Sequence, residues 1–96
     1  NFNTNNLQNE HAIKNIYRLL KPNGKVLISV VIDPRHNTNR NQPYTFSAQE
    51  GLTRFCFTSA YYRQLFIKNK FKITSEFDIK NGQKWNLPYR RFCLQK

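Results

Sequence analysis

Methionine is absent from this 96-residue chain, glycine occurs three times and cysteine twice, and only five acidic residues stand against 16 lysines and arginines. Each shortage excludes something. Gly24, Gly51 and Gly82 lie too far apart to build a glycine-rich phosphate-binding turn of the GxGxG kind. Cys56 and Cys93 have no partner in CxxC spacing and no nearby histidine, and His11 and His36 fall in no metal spacing, so a zinc site is not expected. The expectation is two free thiols in a reducing cytoplasm. The longest apolar run, Val26 to Ile32, is short and broken by Ser29, which excludes a membrane-spanning helix. The opening Asn1-Phe2-Asn3-Thr4-Asn5-Asn6 has neither the basic start nor the apolar stretch of a secretory signal. A start on Asn1 with no methionine anywhere is what a trimmed chain or a fragment would have.

Aromatic and aliphatic residues, by contrast, are plentiful. Hydrophobic residues make up 39% of the chain, with eight Phe, five Tyr and one Trp, enough for a core and too many for a disordered chain. A chain of this length forms one domain at most and buries only about 60–65% of its unfolded surface. The net charge of +11 invites a nucleic-acid reading. In the sequence, however, the basic residues run from Lys14 to Lys96 without a dense cluster beyond Arg90-Arg91 and the alternating Lys68, Lys70 and Lys72. A dispersed, solvated basic surface is therefore expected. A dedicated nucleic-acid binder would instead gather its cations on one face and lose affinity steeply with salt.

Periodicity gives the elements. Ile13, Ile16, Tyr17 and Leu20 recur at i, i+3, i+4 and i+7, which predicts an amphipathic helix over 7–20, ended by Lys21-Pro22-Asn23-Gly24. Val26 to Ile32 is apolar on both parities and predicts a strand over 26–32 covered on both faces, the pattern of a central parallel strand. Helix, turn and strand form the second half of a βαβ unit, so the fold is expected to begin before residue 1. Residues 33–57 read as a polar loop at the carboxyl end of that strand, with a short helix within Ala48 to Phe55. Thr58 or Ser59 can cap a helix over 58–69, in which Tyr61, Tyr62, Leu65 and Phe66 share a core-facing side. Alternation from Phe71 to Ile79, the Asn81-Gly82 turn and the stretch Tyr89 to Gln95 predict a β-hairpin over 70–95.

Two segments resemble a known family. Ile16-Tyr17-Arg18-Leu19-Leu20-Lys21-Pro22-Asn23-Gly24-Lys25-Val26-Leu27-Ile28 is similar to the segment of class I S-adenosylmethionine-dependent methyltransferases that leads into their fifth strand. Asn23 stands where that family more often has glycine. Phe57-Thr58-Ser59, Tyr61-Tyr62-Arg63 and Lys70-Phe71-Lys72-Ile73 resemble the family's following helix and sixth strand, with Lys70 at another position where glycine is usual. The resemblance implies an α/β fold: the C-terminal half of a Rossmann-like methyltransferase domain, with sheet order 5-7-6, an antiparallel last strand and two or three helices. It also implies S-adenosylmethionine as cofactor in the complete domain, a small-molecule methyl acceptor, and an N-terminal half that carries the glycine-rich cofactor site. No residue of this chain is assigned to the cofactor, and no catalytic residue is named.

Substrate-side candidates follow from position. Asp33, Arg35 and His36 come directly after the strand 26–32, where an acid or imidazole can orient or deprotonate an acceptor. Arg90 and Arg91 can clamp an acidic substrate, and strand alternation lets only one of them face the site. The plain readings beside these are turn initiation at Asp33-Pro34, an exposed His36 and edge-strand charge at the two arginines. Two other functions are weighed against the methyltransferase reading: a small basic nucleic-acid-binding protein and an inactive methyltransferase remnant.

Overall fold

The computed structural model describes residues 5–33, 44–49, 52–79 and 88–96. The elements run α1 (Asn6–Leu19), β1 (Lys25–Val31), β2 (Tyr44–Gln49), β3 (Leu52–Cys56), α2 (Ser59–Lys68), β4 (Lys72–Ile79) and β5 (Tyr89–Gln95). They form a three-stranded sheet in the order β1-β5-β4 and a separate β2-β3 ribbon. The last strand lies in the middle of the sheet, antiparallel to both neighbours.

Helix α1 starts where the Asn5 side chain accepts the Gln8 N–H at 2.9 Å, a standard N-cap. It ends in a tight reversal: the Gly24 N–H donates to the Lys21 carbonyl at 2.8 Å, and Asn23 sits at φ 64°. Pro22 in second place and a positive φ in third are the features of a type II turn. A Cβ on Gly24 would lie 2.8 Å from the Lys21 carbonyl oxygen, so glycine is required there for closeness. Helix α2 starts on the Thr58 hydroxyl, which accepts the Tyr61 N–H at 3.2 Å. It ends with Lys70 at φ 72°, the Lys70 N–H on the Ile67 carbonyl and the Phe71 N–H on the Phe66 carbonyl. That pair of bonds is a Schellman motif, and it drops Phe71 into the core.

Both helices cover the same face of the sheet. Ile13 from α1 and Tyr62, Leu65 and Phe66 from α2 pack with Ile28, Val30, Phe92 and Leu94 in one cluster. Register places Ile28 opposite Phe92 and Val26 opposite Leu94, so these side chains form a continuous apolar patch. The opposite face carries Leu27, 63% exposed, and Phe77, 47% exposed, with the Arg91 guanidinium 6.0 Å from the Phe77 ring.

Three expectations are corrected here. The strand expected to be covered on both faces is covered on one along most of its length, because neither described helix reaches the side of Leu27 and Ser29. The polar loop with a short helix at Ala48 to Phe55 is instead the β2-β3 ribbon, paired from Tyr44 and Cys56 to Ser47 and Thr53 and, after a one-residue shift, at Gln49 and Leu52. Thr45, Phe46, Leu52, Thr53 and Phe55 are β-branched, aromatic or apolar residues that suit strands, and this content outweighed the surrounding polarity. The expected charge dispersal also fails for the exposed lysines and arginines among the described residues. Lys14, Arg18, Lys21, Lys25, Lys68, Lys70 and Lys72 lie on the second half of α1, the end of α2, or the turns and strand starts that follow them.

Candidate functional site

The carboxyl end of β1 is where the chain assembles its buried polar groups. The Ile32 N–H donates to the Pro88 carbonyl at 2.8 Å on one side, and the Asp33 N–H donates to the Phe57 carbonyl at 3.0 Å on the other. Ile32 and Phe57 thereby form a parallel bridge that ties the strand end to the start of α2. Asp33 is buried, as are Cys56, Phe57, Tyr61 and Tyr62 around it in the fold, and Asn9 on α1.

Tyr61 links the two helices. Its ring stacks on Phe57 with centroids 4.0 Å apart and planes 16° from parallel, and meets Tyr62 edge-on at 5.1 Å. Its hydroxyl donates to Asn6 Oδ1 and accepts from Asn9 Nδ2 at 3.5 Å. Both asparagines lie near the start of α1, so the first turns of the two helices are held side by side. Burial, with Cys56 as a smaller contributor, pushes the Tyr62 hydroxyl far above the ordinary tyrosine value.

Beside this cluster a cleft of about 340 Å³ opens between the helices, with Phe57, Tyr61 and Leu65 as its apolar wall and Asn6, Gln64 and a Glu10–Lys68 ion pair at its rim. The Lys68 ammonium donates to Glu10 Oε1 at 2.8 Å, and this bond holds the Glu10 carboxyl below its ordinary value. The size is at the lower end of ordinary small-molecule sites, and a planar wall with polar groups at the mouth suits a flat, hydrogen-bonding ligand. Among the described residues no group of three His, Cys, Asp or Glu can hold a metal ion.

Of the residues singled out in the sequence, Asp33 lies at this strand end. Arg35 and His36 lie outside the described residues. Arg90 and Arg91 point to opposite faces of β5 and are occupied elsewhere. Arg90 Nε donates to Asp78 Oδ1 at 3.0 Å, and its guanidinium lies 3.8 Å from Glu76, which Arg63 also clamps at 2.7 Å. Arg91 Nε donates to Ser29 Oγ at 3.2 Å on the open face. The partners of both arginines among the described residues are on the neighbouring strands. Sequence reasoning missed Asn6, Asn9 and the double role of Tyr61. One signal was present, because Asn9 sits four residues before Ile13, in phase with the apolar stripe where a buried residue belongs.

No protein-family model matches the sequence, and no curated protein matches it either. Solved structures do. A SAM-dependent methyltransferase from Methanosarcina mazei superposes with a TM-score of 0.68 at 18% identity, covering 91% of this chain and 50% of that one. The 1,6-didemethyltoxoflavin-N1-methyltransferase of Burkholderia thailandensis, solved with 1,6-didemethyltoxoflavin and S-adenosylhomocysteine, superposes with a TM-score of 0.72 at 17% identity. It covers 99% of this chain and 39% of the larger protein. The fold is therefore that of part of a SAM-dependent methyltransferase, and the chain spans half or less of the length of these two structures.

Proposed function

We propose that this chain is the substrate-side portion of an S-adenosylmethionine-dependent methyltransferase acting on a small molecule. The observation that carries the reading is the superposition of nearly the whole chain on the Burkholderia methyltransferase. In this reading β1, β4 and β5 correspond to the fifth, sixth and seventh strands of the complete sheet. The uncovered face around Leu27 and Phe77 and the edge of β1 away from β5 then belong to the interior of the whole domain. Cys56 and Cys93 carry thiols that are not joined in a disulfide, which suits a cytoplasmic setting. No helix among the described residues is long and apolar enough to cross a membrane.

The described residues do not fit S-adenosylmethionine by themselves. The described glycine, Gly24, closes the turn after α1 and cradles no ligand. Among the described residues the carboxylate at the carboxyl end of β1 is Asp33 alone, buried and held by backbone to Phe57. The rest of the domain would have to supply the cofactor site. What this chain contributes is the acceptor side: the cleft wall of Phe57, Tyr61 and Leu65 orients a flat acceptor, and methyl transfer depends chiefly on such in-line positioning. Asp33, whose N–H is held by the Phe57 carbonyl, is a candidate to orient a proton-bearing acceptor, with Arg35 and His36 following it in sequence.

Amide chemical-shift mapping with a panel of planar heteroaromatic compounds tests the cleft. A binding compound should move the amides of Asn6, Phe57 and Tyr61, and Gln64→Trp, which plugs the mouth from an exposed position, should abolish the shifts. Compounds that bind elsewhere, or equally well to the Gln64→Trp variant, would remove the cleft as an acceptor site.

A further inference from the structure

The charge correction has a spatial form. The register sets Lys25, Gln95 and Lys72 side by side across β1, β5 and β4, at the end of the sheet opposite Asp33. Lys96 follows directly, its backbone N–H on the Gly24 carbonyl at 2.9 Å and its ammonium on the Leu20 carbonyl at 2.8 Å. Arg18 and Lys21 flank the same helix end, and Lys70 sits on the Schellman turn between α2 and β4.

Beside these residues lies a concave site of about 370 Å³ lined by Lys14, Tyr17, Lys68, Asn69 and Lys70. Of the four described acidic residues three lie elsewhere, Asp33 at the far end of β1 and Glu76 and Asp78 with Arg63 and Arg90, while Glu10 pairs with Lys68 and also feels the charge of Lys14. Eight basic residues therefore share one end of the molecule with a single acidic partner between them.

We propose that this basic end is a docking surface for the phosphate backbone of a nucleic acid strand, bound without regard to sequence. Lysine-rich cations around a concave site match a row of phosphates, each taken as a point charge. The surface has no exposed aromatic side chain among its described residues with which to read bases or anchor in a lipid interface, since Tyr17 is packed edge-on against Phe71 at 5.1 Å and capped by the Lys96 ammonium at 4.6 Å. The basic end is separated from the Asp33 end by the length of β1, whereas Lys68 lines both the basic site and the rim of the acceptor cleft, so a docked strand would pass beside the mouth of that cleft. The proposal stands independently of the methyl-transfer reading.

The test is fluorescence anisotropy of a labelled mixed-sequence single-stranded oligonucleotide with the full chain, titrated at several salt concentrations. The account predicts binding whose log affinity falls against log salt with a slope on the order of −3 to −5, as expected when several phosphates are neutralised. Lys21→Gln/Lys70→Gln/Lys72→Gln, at three exposed positions, should weaken binding at least tenfold and flatten the slope, with an unchanged circular dichroism spectrum. Arg54→Gln, outside the basic end, should leave both as they are. Salt-insensitive binding, or a triple variant that is folded and binds like the parent, overturns the proposal. So does binding to phosphatidylserine vesicles with none to the oligonucleotide, which would assign the surface to a membrane through Leu19 and Ile67, 77% and 60% exposed nearby.

Discussion

Asn23 and Lys70 are the two described non-glycine residues with positive φ, at 64° and 72°. Both were legible in the sequence as places where the resembling family uses glycine, and the structure supplies the reason: Asn23 takes the positive-φ place of the turn after α1, and Lys70 closes α2 in the left-handed conformation. Asparagine tolerates that conformation, whereas lysine carries a Cβ that opposes it. Lys70→Gly should therefore stabilise the chain by about 0.5–1 kcal/mol, read as a rise of several degrees in melting temperature. No change, or a loss, would mean that the Lys70 side chain earns its place through a contact not seen in the Schellman turn.

Tyr62 gives a second residue-scale prediction. Its buried hydroxyl is held neutral far above the ordinary value of 10.0, so folded and unfolded chains hold the same proton below that pH. Above it only the unfolded chain releases the proton, and stability falls as pH rises. Spectrophotometric titration should show Tyr62 ionising only as the chain unfolds, and Tyr62→Phe should flatten the alkaline loss of stability.

At the scale of elements, helix and strand positions were legible because the apolar spacing was strong. The amphipathic stripe predicted 7–20 against an observed Asn6–Leu19, and alternation located β4 at Lys72–Ile79. Coverage was not legible. The apolar run in β1 suggested cover on both faces, and Leu27 is left 63% exposed by the described residues. The β2-β3 ribbon was hidden because its strands are short and lie among polar residues, where composition suggested a loop. The two faces of β1 should answer differently to substitution. Ile28→Ala, in the core, should cost about 2–4 kcal/mol, while Leu27→Lys on the open face should change stability by under about 0.5 kcal/mol. Chemical denaturation of both variants checks this, and a large cost at Leu27 would show that the face is already covered.

At the scale of the whole molecule, the chain divides into a polar, aromatic end at Asp33 and a basic end at Lys25, Lys72 and Lys96. The first lies at the carboxyl end of β1, the end of a strand at which open α/β sheets bind ligands. Its members Asn9, Asp33 and the neighbouring pair Phe57 and Tyr61 come from three separate stretches, which no spacing rule could bring together. The basic end was invisible for the same reason: its lysines are spread from Lys14 to Lys96 in sequence and converge only through the register of the sheet. Charge convergence is thus a property of the fold and not of any local run.

The central claim, a methyltransferase portion that supplies the acceptor side and relies on the rest of a domain for its cofactor, is tested most directly by calorimetric titration with S-adenosylhomocysteine. The titration is made on this chain alone and on the chain joined to the residues its reading frame encodes before Asn1. The account predicts no measurable binding to the chain alone and micromolar binding to the joined protein. Micromolar binding to the chain alone, or none to either, would contradict it.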